Sequence, residues 1–547
     1  MNSATTAAHG ASRGRRVAAL ATICLSVFVI TVDGTIVNVT LPTLARELHA
    51  SNTQLQWIVD AYILVFAGLL LAAGSLGDRY GRRGALAVGL LVFAAASAFA
   101  SQAGSASTLV GARAAMGVGA ALIFPTTLAL LTNIFTGAER ARAIGVWAAM
   151  TGVGVATGPI VGGWLLEHFW WGSVFLVNVP IAATAIVAGR LFVPTSKDPT
   201  TPPVDVGGVV LSVAGVTAVI YTIIEASGWG WGSARTLGGL AVGAFVLGVF
   251  GLWERRQRHP MLDLRVFSNR RFSGGSLAIT ASFFALFGFI FLITQYFQFV
   301  RAYTAFETGV RLLPVAASIA LASVIGQRLA ARAGTTVVVA GGLGLFSAGL
   351  AWASTASTAT SYGEIAAQMV LLGAGMGFTT APATESIMGS LSVNKAGVGS
   401  AVNDTTRELG ATLGVAVVGS VFASVYGGDL AHHRAIAALP GPARTAAGRS
   451  LAAAYQVAGG LPAQPARGVI TAANHAFLNG LQAGSLVSAA VAGAAALGII
   501  TLLPARAAPT PQPAAPEPAP EPVETPAPEV GLSQPATAAT EGSHHDR

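Results

Sequence analysis

Cysteine is nearly missing from this chain: Cys24 stands alone among 547 residues, which excludes a disulfide framework. Charge is scarce too. Asp, Glu, Lys and Arg make up 10% of the sequence, against about 25% in ordinary soluble proteins. So few charges cannot coat the three or four soluble domains that length alone would suggest. No Gly-x-x-x-x-Gly-Lys-Ser/Thr loop is present, so ATP is not the expected energy source. No His/Cys cluster has metal-ligand spacing, and no pattern points to an enzyme, a cofactor or a metal. What is abundant is glycine, with 66 residues and no Gly-X-Y period, and apolar side chains, at 53%. That is the composition of a helical membrane protein whose small residues let helices approach closely.

A membrane-spanning helix needs about 20 mostly apolar residues. Fourteen such runs can be read, at roughly 17–40, 57–76, 84–101, 107–131, 142–165, 171–193, 206–226, 236–253, 273–296, 308–330, 335–353, 364–388, 399–425 and 482–503. The loop charges test that count. Of the 31 Lys and Arg residues, twenty-one fall on the side holding both termini, eight on the other side, and Arg113 and Arg407 fall within spans. The excess matches the positive-inside rule and places both termini in the cytoplasm. The net charge of +8 is then a topology signal, and no nucleic-acid partner is needed to explain it. Trp57, Trp170, Trp171, Trp229 and Trp231 fall at the outer ends of spans, where tryptophan is favoured.

The expected organisation is a cytoplasmic tail (1–16), a six-helix bundle (17–193), a linker with two inserted helices (194–272) and a second six-helix bundle (273–504), ending in a Pro-rich disordered tail (505–547). The first apolar run is too long for a signal peptide and reads as an uncleaved helix. A long outer loop is expected at 427–481, punctuated by Pro440, Pro442, Pro462 and Pro465, with a short interfacial helix over Ala443–Ala458. His432 and His433 are adjacent and cannot share a helix face, so solvated histidines are expected there.

Several local patterns carry chemistry. The loop after span two reads Gly74-Ser-Leu-Gly77-Asp78-Arg79-Tyr-Gly81-Arg82-Arg83, and the loop after span ten looks like a degraded copy of it, Gly326 to Gly334. Spans nine to fourteen would then repeat spans one to six. In span five, Gly154, Gly158 and Gly162 share one face and Pro159 bends the helix, which describes a close-packed, bendable contact between the two halves. Charges inside spans are costly and are functional candidates by default. Asp33 and Arg113 each lie about seven residues from an outer end, roughly 10 Å deep, where they can meet. A carboxylate there is caught between the cost of ionising away from water and the pull of a cation, the tension a proton carrier requires. Asp60 lies one turn into span two, where capping or solvation competes with a coupling role. Asp404, Arg407 and Glu408 lie near the inner end of span thirteen, where an intrahelical pair of Arg407 with Asp404 competes with substrate or coupling roles. Span nine is rich in phenylalanine; Phe287 and Phe291 are candidates to stack on a flat substrate.

These motifs resemble the major facilitator superfamily. Gly74 to Arg83 is similar to its signature loop, and Gly154-Val-Ala-Thr-Gly158-Pro159-Ile-Val-Gly162-Gly163 to its antiporter motif. Arg113-Ala-Ala-Met116-Gly117 is similar to its membrane-embedded arginine motif, with Met116 where glutamine is usual. Val32-Asp33-Gly-Thr35-Ile36-Val37-Asn38 and Asn403-Asp404-Thr-Thr-Arg407-Glu408 resemble the fourteen-span drug:proton antiporter branch. The resemblance implies an all-α integral membrane protein with the major facilitator fold, sited as a monomer in a bacterial cytoplasmic membrane. It implies proton coupling through Asp33, Arg113 and Asp60, a switch loop, and export of small hydrophobic or cationic compounds. Two alternatives stay open: a carrier of one endogenous metabolite or lipid, and a non-transporting receptor.

Overall fold

The computed structural model describes residues 13–504, apart from 136, 198–204, 259, 261–263 and 391–395. Residues 1–12 and the Pro-rich tail lie outside the described residues. Among the described residues fourteen helices are long and apolar enough to cross a bilayer, as the sequence predicts. In chain order they are α1 (Arg13–Glu47), α2 (Asn52–Tyr80), α3 (Arg82–Ala100), α4 (Ala106–Ile134), α5 (Gly137–His168), α6 (Ser173–Phe192) and α7 (Val206–Trp229). They continue with α8 (Ala234–Arg256), α9 (Arg270–Val300), α10 (Ala305–Ala333), α11 (Thr335–Ala353), α12 (Tyr362–Met388), α13 (Ala396–His432) and α14 (Ala463–Leu502). No β-strand occurs among the described residues.

Polar residues mark where these apolar runs begin. Ser51 and Gln54 form a reciprocal capping box at the start of α2, and Ser105, Ser233 and Ser361 cap α4, α8 and α12. Gly81, at φ +126°, ends α2 and starts α3; Gly334, at φ +92°, does the same between α10 and α11. These are left-handed positions that favour glycine.

The two halves repeat each other in packing as well as in loops. In the first half α1 packs on α5, α2 on α4 and α3 on α4; in the second α9 packs on α13, α10 on α12 and α11 on α12. The repeat reaches individual glycines. A Cβ on Gly119 would sit 2.8 Å from the Gly89 carbonyl and 2.7 Å from the Phe93 amide. A Cβ on Gly375 would sit 2.7 Å from the Gly342 carbonyl and 2.5 Å from the Phe346 amide. In both bundles a glycine pair lets two backbones touch, which only the missing side chain allows.

The helices α7 and α8 form a hairpin against the seam. The α7 residues Ile220 and Ile224 are buried with Leu64 of α2 and Ala416 of α13. Asp205 caps α7 and also accepts a 3.0 Å hydrogen bond from the Trp253 indole at the end of α8.

One expectation is corrected. Residues 427–481 are helical over most of their length. The helix α13 runs on to His432, and α14 starts at Ala463 rather than near 482. Between them lie short helices at Arg434–Ala437, Gly441–Arg449 and Leu451–Gly459. The prolines that suggested a loop are helix starters here: Pro440 and Pro462 are N-caps and Pro442 stands in a first turn. The single helix expected over Ala443–Ala458 breaks at Ser450, whose hydroxyl caps the next helix. This segment packs across both bundles. Gln456 bonds to the Arg46 carbonyl (3.1 Å), and Tyr455 donates to the Phe299 carbonyl (3.3 Å).

The fold therefore has a terminal face, which carries the Gly74–Arg83 loop and the ends near Arg13 and Leu503, and an opposite face. At the opposite face the bundles meet: Gln298 of α9 donates to the Val39 carbonyl of α1 at 2.7 Å, and Glu167 of α5 accepts from the Phe306 amide of α10 at 3.4 Å.

Replacing Gly119 by leucine should cost about 1–3 kcal/mol through overpacking. Gly111, on the same helix, is exposed with open space beside it, so Gly111→Leu is expected to be silent. Thermal unfolding of the purified variants in detergent checks the contrast; equal midpoints would remove the glycine contact as a stability determinant.

Candidate functional site

The carboxylate of Asp33 is fully buried in α1. Its Oδ2 lies 2.5 Å from Nη1 of Arg113 on α4, itself fully buried. Its Oδ1 accepts a 2.8 Å hydrogen bond from Asn178 of α6. Arg113 also donates from Nε to the Ile58 carbonyl of α2 (3.1 Å), and its guanidinium lies 4.1 Å from the Tyr62 ring centroid. One ion pair thus ties four helices together. A buried charge persists only when paired and hydrogen-bonded in this way.

The Asp33 helix is gripped by the glycine face of α5. A Cβ on Gly154 or Gly158 would collide with the hydroxyls of Thr31 and Thr35, and one on Gly162 would sit 2.5 Å from Ile36. These three glycines therefore face α1 within the first bundle, rather than the other half as the sequence suggests. Gly163 and Pro159 make the crossing contact instead. A Cβ on Gly163 would lie 2.6 Å from the Ala305 carbonyl, and the Pro159 carbonyl abuts Gly309 of α10.

On the terminal face, Gly74 and Gly77 pack against Pro125 and Thr126 of α4. Asp78 pairs with Arg82 at 2.6 Å, and the Arg79 guanidinium lies 5.8 Å from the Tyr80 ring centroid. The Arg82 amide donates to the Ser196 carbonyl, so the loop is bound to the segment after α6.

The chain matches the Major Facilitator Superfamily over residues 23–415. The chain belongs to that superfamily. It is 37% identical over 484 residues to the multidrug efflux pump LfrA of Mycolicibacterium smegmatis, covering 88% of this chain and 95% of that protein. It is 33% identical to the tetracenomycin C resistance and export protein of Streptomyces glaucescens, covering 89% and 92%. In fold it resembles a bacterial homolog of the human lysosomal transporter Spinster in an inward-facing, occupied conformation. That match has a TM-score of 0.66 at 15% identity and covers 91% of this chain and all of the other. As a major facilitator protein the chain is a multi-pass membrane protein of transporter fold.

Further acidic groups occupy the major facilitator core. Asp60 is fully buried, neither capping nor solvated, and neither of its carboxylate oxygens has a protein hydrogen-bond partner. Gln56, one turn earlier, is also buried with an unpartnered amide and presses on Gly419 of α13, where a Cβ would come within 2.8 Å. Asp404 and Glu408 are half-buried on α13. Arg407 does not pair with Asp404; it donates to the Thr384 hydroxyl at 3.5 Å and its guanidinium lies 5.5 Å from the Phe283 ring centroid. Phe283 stacks on Phe287, both partly exposed, whereas Phe291 is fully buried in the core.

Sequence reasoning missed Asn178 and Tyr62. Asn178 leaves a trace, a lone amide in the apolar run Phe175–Ile181. Tyr62 leaves none, because an aromatic in a span is ordinary.

Arg113→Met strands a buried carboxylate and should cost about 3–5 kcal/mol. Adding Asp33→Asn should restore most of that loss. A double-mutant cycle by thermal unfolding checks this; a double variant no better than the single would mean the pair is not energetically coupled.

Proposed function

We propose that the chain exports small hydrophobic or cationic compounds from the bacterial cytoplasm in exchange for protons. The observation that carries this reading is the buried Asp33–Arg113–Asn178 cluster, a single ionisable carboxylate joined to the contacts between four helices. The relatives' names, a multidrug efflux pump and an antibiotic resistance and export protein, support the substrate class. The excess of arginine on the terminal face supports its assignment to the cytoplasm, with both termini there. With the bundles meeting at the opposite face, the described state is the one that receives substrate from inside. A monomer suffices, since each chain carries both bundles.

The mechanism follows from what protonation removes. Neutral Asp33 loses its Coulomb attraction for Arg113. Arg113 then holds less firmly the Ile58 carbonyl and Tyr62 ring of α2. The same helix presses Gln56 on Gly419 of α13, so its shift reaches the second bundle. Asp60, lacking a protein partner, is a second proton or cation site. At the terminal face the Gly74–Arg83 loop acts as the switch, and at the opposite face Pro159 and Gly163 form the seal that opens. Arg407, Phe283 and Phe287 form one wall of the substrate path, with Asp404 and Glu408 beside them supplying negative charge for a cationic compound.

Purified protein in liposomes under an imposed pH gradient tests the reading with a panel of cationic dyes and antibiotics. The wild type should accumulate several of them and lose that accumulation with a protonophore. Asp33→Asn should abolish it in protein that still folds, though with a lower unfolding midpoint because Arg113 loses its buried partner, and normal gradient-driven transport in that variant would sink the assignment. Pro159→Ala should fold and transport at a reduced rate, and full activity would remove α5 as a moving seal. A response to one compound alone would replace the drug-export reading with that of a dedicated carrier.

A further inference from the structure

The segment that joins α13 to α14 brings together side chains unrelated to the buried core. Asp429 and His433 stand four residues apart at the end of α13, and His475 and Asn479 stand four residues apart on α14. Each pair lies one turn apart on one side of its chain segment, and the two pairs face each other. Oδ2 of Asp429 lies 2.9 Å from Asn479 Nδ2, 3.2 Å from His475 Nδ1 and 3.8 Å from His433 Nε2. The two imidazole rings stand at 73° with centroids 5.5 Å apart.

We propose that Asp429, His433 and His475 bind a divalent first-row transition cation at the opposite face, with Zn2+ the working case. The three donor atoms all lie within 4.8 Å of one another. Bond lengths of about 2.0–2.2 Å put neighbouring ligands of a tetrahedral zinc site about 3.3–3.6 Å apart. Small side-chain rotations close that gap. Two imidazoles and one carboxylate suit Zn2+, Co2+, Ni2+ or Cu2+ rather than Mg2+ or Ca2+, which prefer all-oxygen shells.

Proton bookkeeping points the same way. His475 Nδ1 lies within hydrogen-bond distance of both the Asp429 carboxylate and the Asn479 amide nitrogen, at 3.2 and 3.3 Å. As a donor it satisfies the carboxylate and opposes the amide; as an acceptor it does the reverse. A cation shared by Nδ1 and the carboxylate removes that conflict and leaves Asn479 as the positioning residue that holds Asp429. The neighbouring His432 is turned away, its Nδ1 engaged with the Gly428 carbonyl at 2.6 Å. Adjacent histidines do not share a face, as the sequence dictates; the second histidine comes instead from α14, more than forty residues along. The His475 side chain is 61% exposed, which leaves an entry path and room for a water as fourth ligand. Bound there, the cation would clip the end of α13 to α14.

The test is calorimetric titration of ZnCl2 into the full-length protein, purified without a polyhistidine tag. The wild type should show one saturable site per chain and a rise in melting temperature with Zn2+. His433→Ala and His475→Ala should each weaken binding about tenfold or more and abolish the rise, and Asn479→Ala should weaken it about tenfold. His432→Ala, and the tail change His544→Ala with His545→Ala, should leave both readouts unchanged. Co2+ should give the visible absorption of a low-coordinate site, lost in His475→Ala. Absence of saturable binding, or binding that survives His433→Ala and His475→Ala or vanishes with the tail histidines, would overturn the proposal.

Discussion

A bilayer interior offers a charged group no water, so any charge there must find its partner within the protein. In this chain that constraint falls hardest on Asp33 and Arg113, and the first bundle is built around meeting it. Asn178 satisfies the second carboxylate oxygen, the Ile58 carbonyl accepts from the guanidinium Nε, and the Tyr62 ring lies against the guanidinium. Four helices converge because one ion pair needs four surroundings. The glycine face of α5 then closes on α1 at the level of Thr31, Thr35 and Ile36, on either side of Asp33.

The second bundle has the same helix packing and none of this charge. Gly117 and Gly119 in α4 correspond to Gly373 and Gly375 in α12, and in each bundle the second glycine meets a glycine and a phenylalanine of the preceding helix. In that register Arg113 corresponds to Met369, which is fully buried in the hydrophobic core. The repeated architecture thus supplies two like halves, and a single substitution class separates them. At this position one half holds an ionisable pair and the other an inert thioether.

Much of this was legible in the chain. Long apolar runs and arginine-rich loops define fourteen helices because the bilayer imposes length and sidedness on any sequence that crosses it. The meeting of Asp33 and Arg113 was legible for the same reason: equal depth and opposite sign. What escaped depended on tertiary contact. The segment 427–481 reads as a loop because its prolines and polar residues look like breaks, yet neighbouring helices cover it and turn those prolines into helix starts. The partners of Gly154, Gly158 and Gly162 escaped because a small-residue face says that something packs closely and not what. Arg407 escaped because its preference for Thr384 and Phe283 over Asp404 rests on where α12 and α9 lie.

The helix α13 is 37 residues long without a break, about 55 Å at 1.5 Å per residue, nearly twice the hydrocarbon thickness of about 30 Å. Asp404 and Glu408 stand near one end, Gly419 touches the other bundle part-way along, and Asp429 stands at the far end. The rod packs along α9 and α14 of its own half and meets α2 of the other half at Gly419, so Gly419 is the contact about which it tilts relative to the first bundle. A tilt of a few degrees that is barely a contact change at Gly419 becomes a displacement of an ångström or more at either tip. The stiffness of one unbroken helix thus ties the position of Asp404 and Glu408 to that of Asp429.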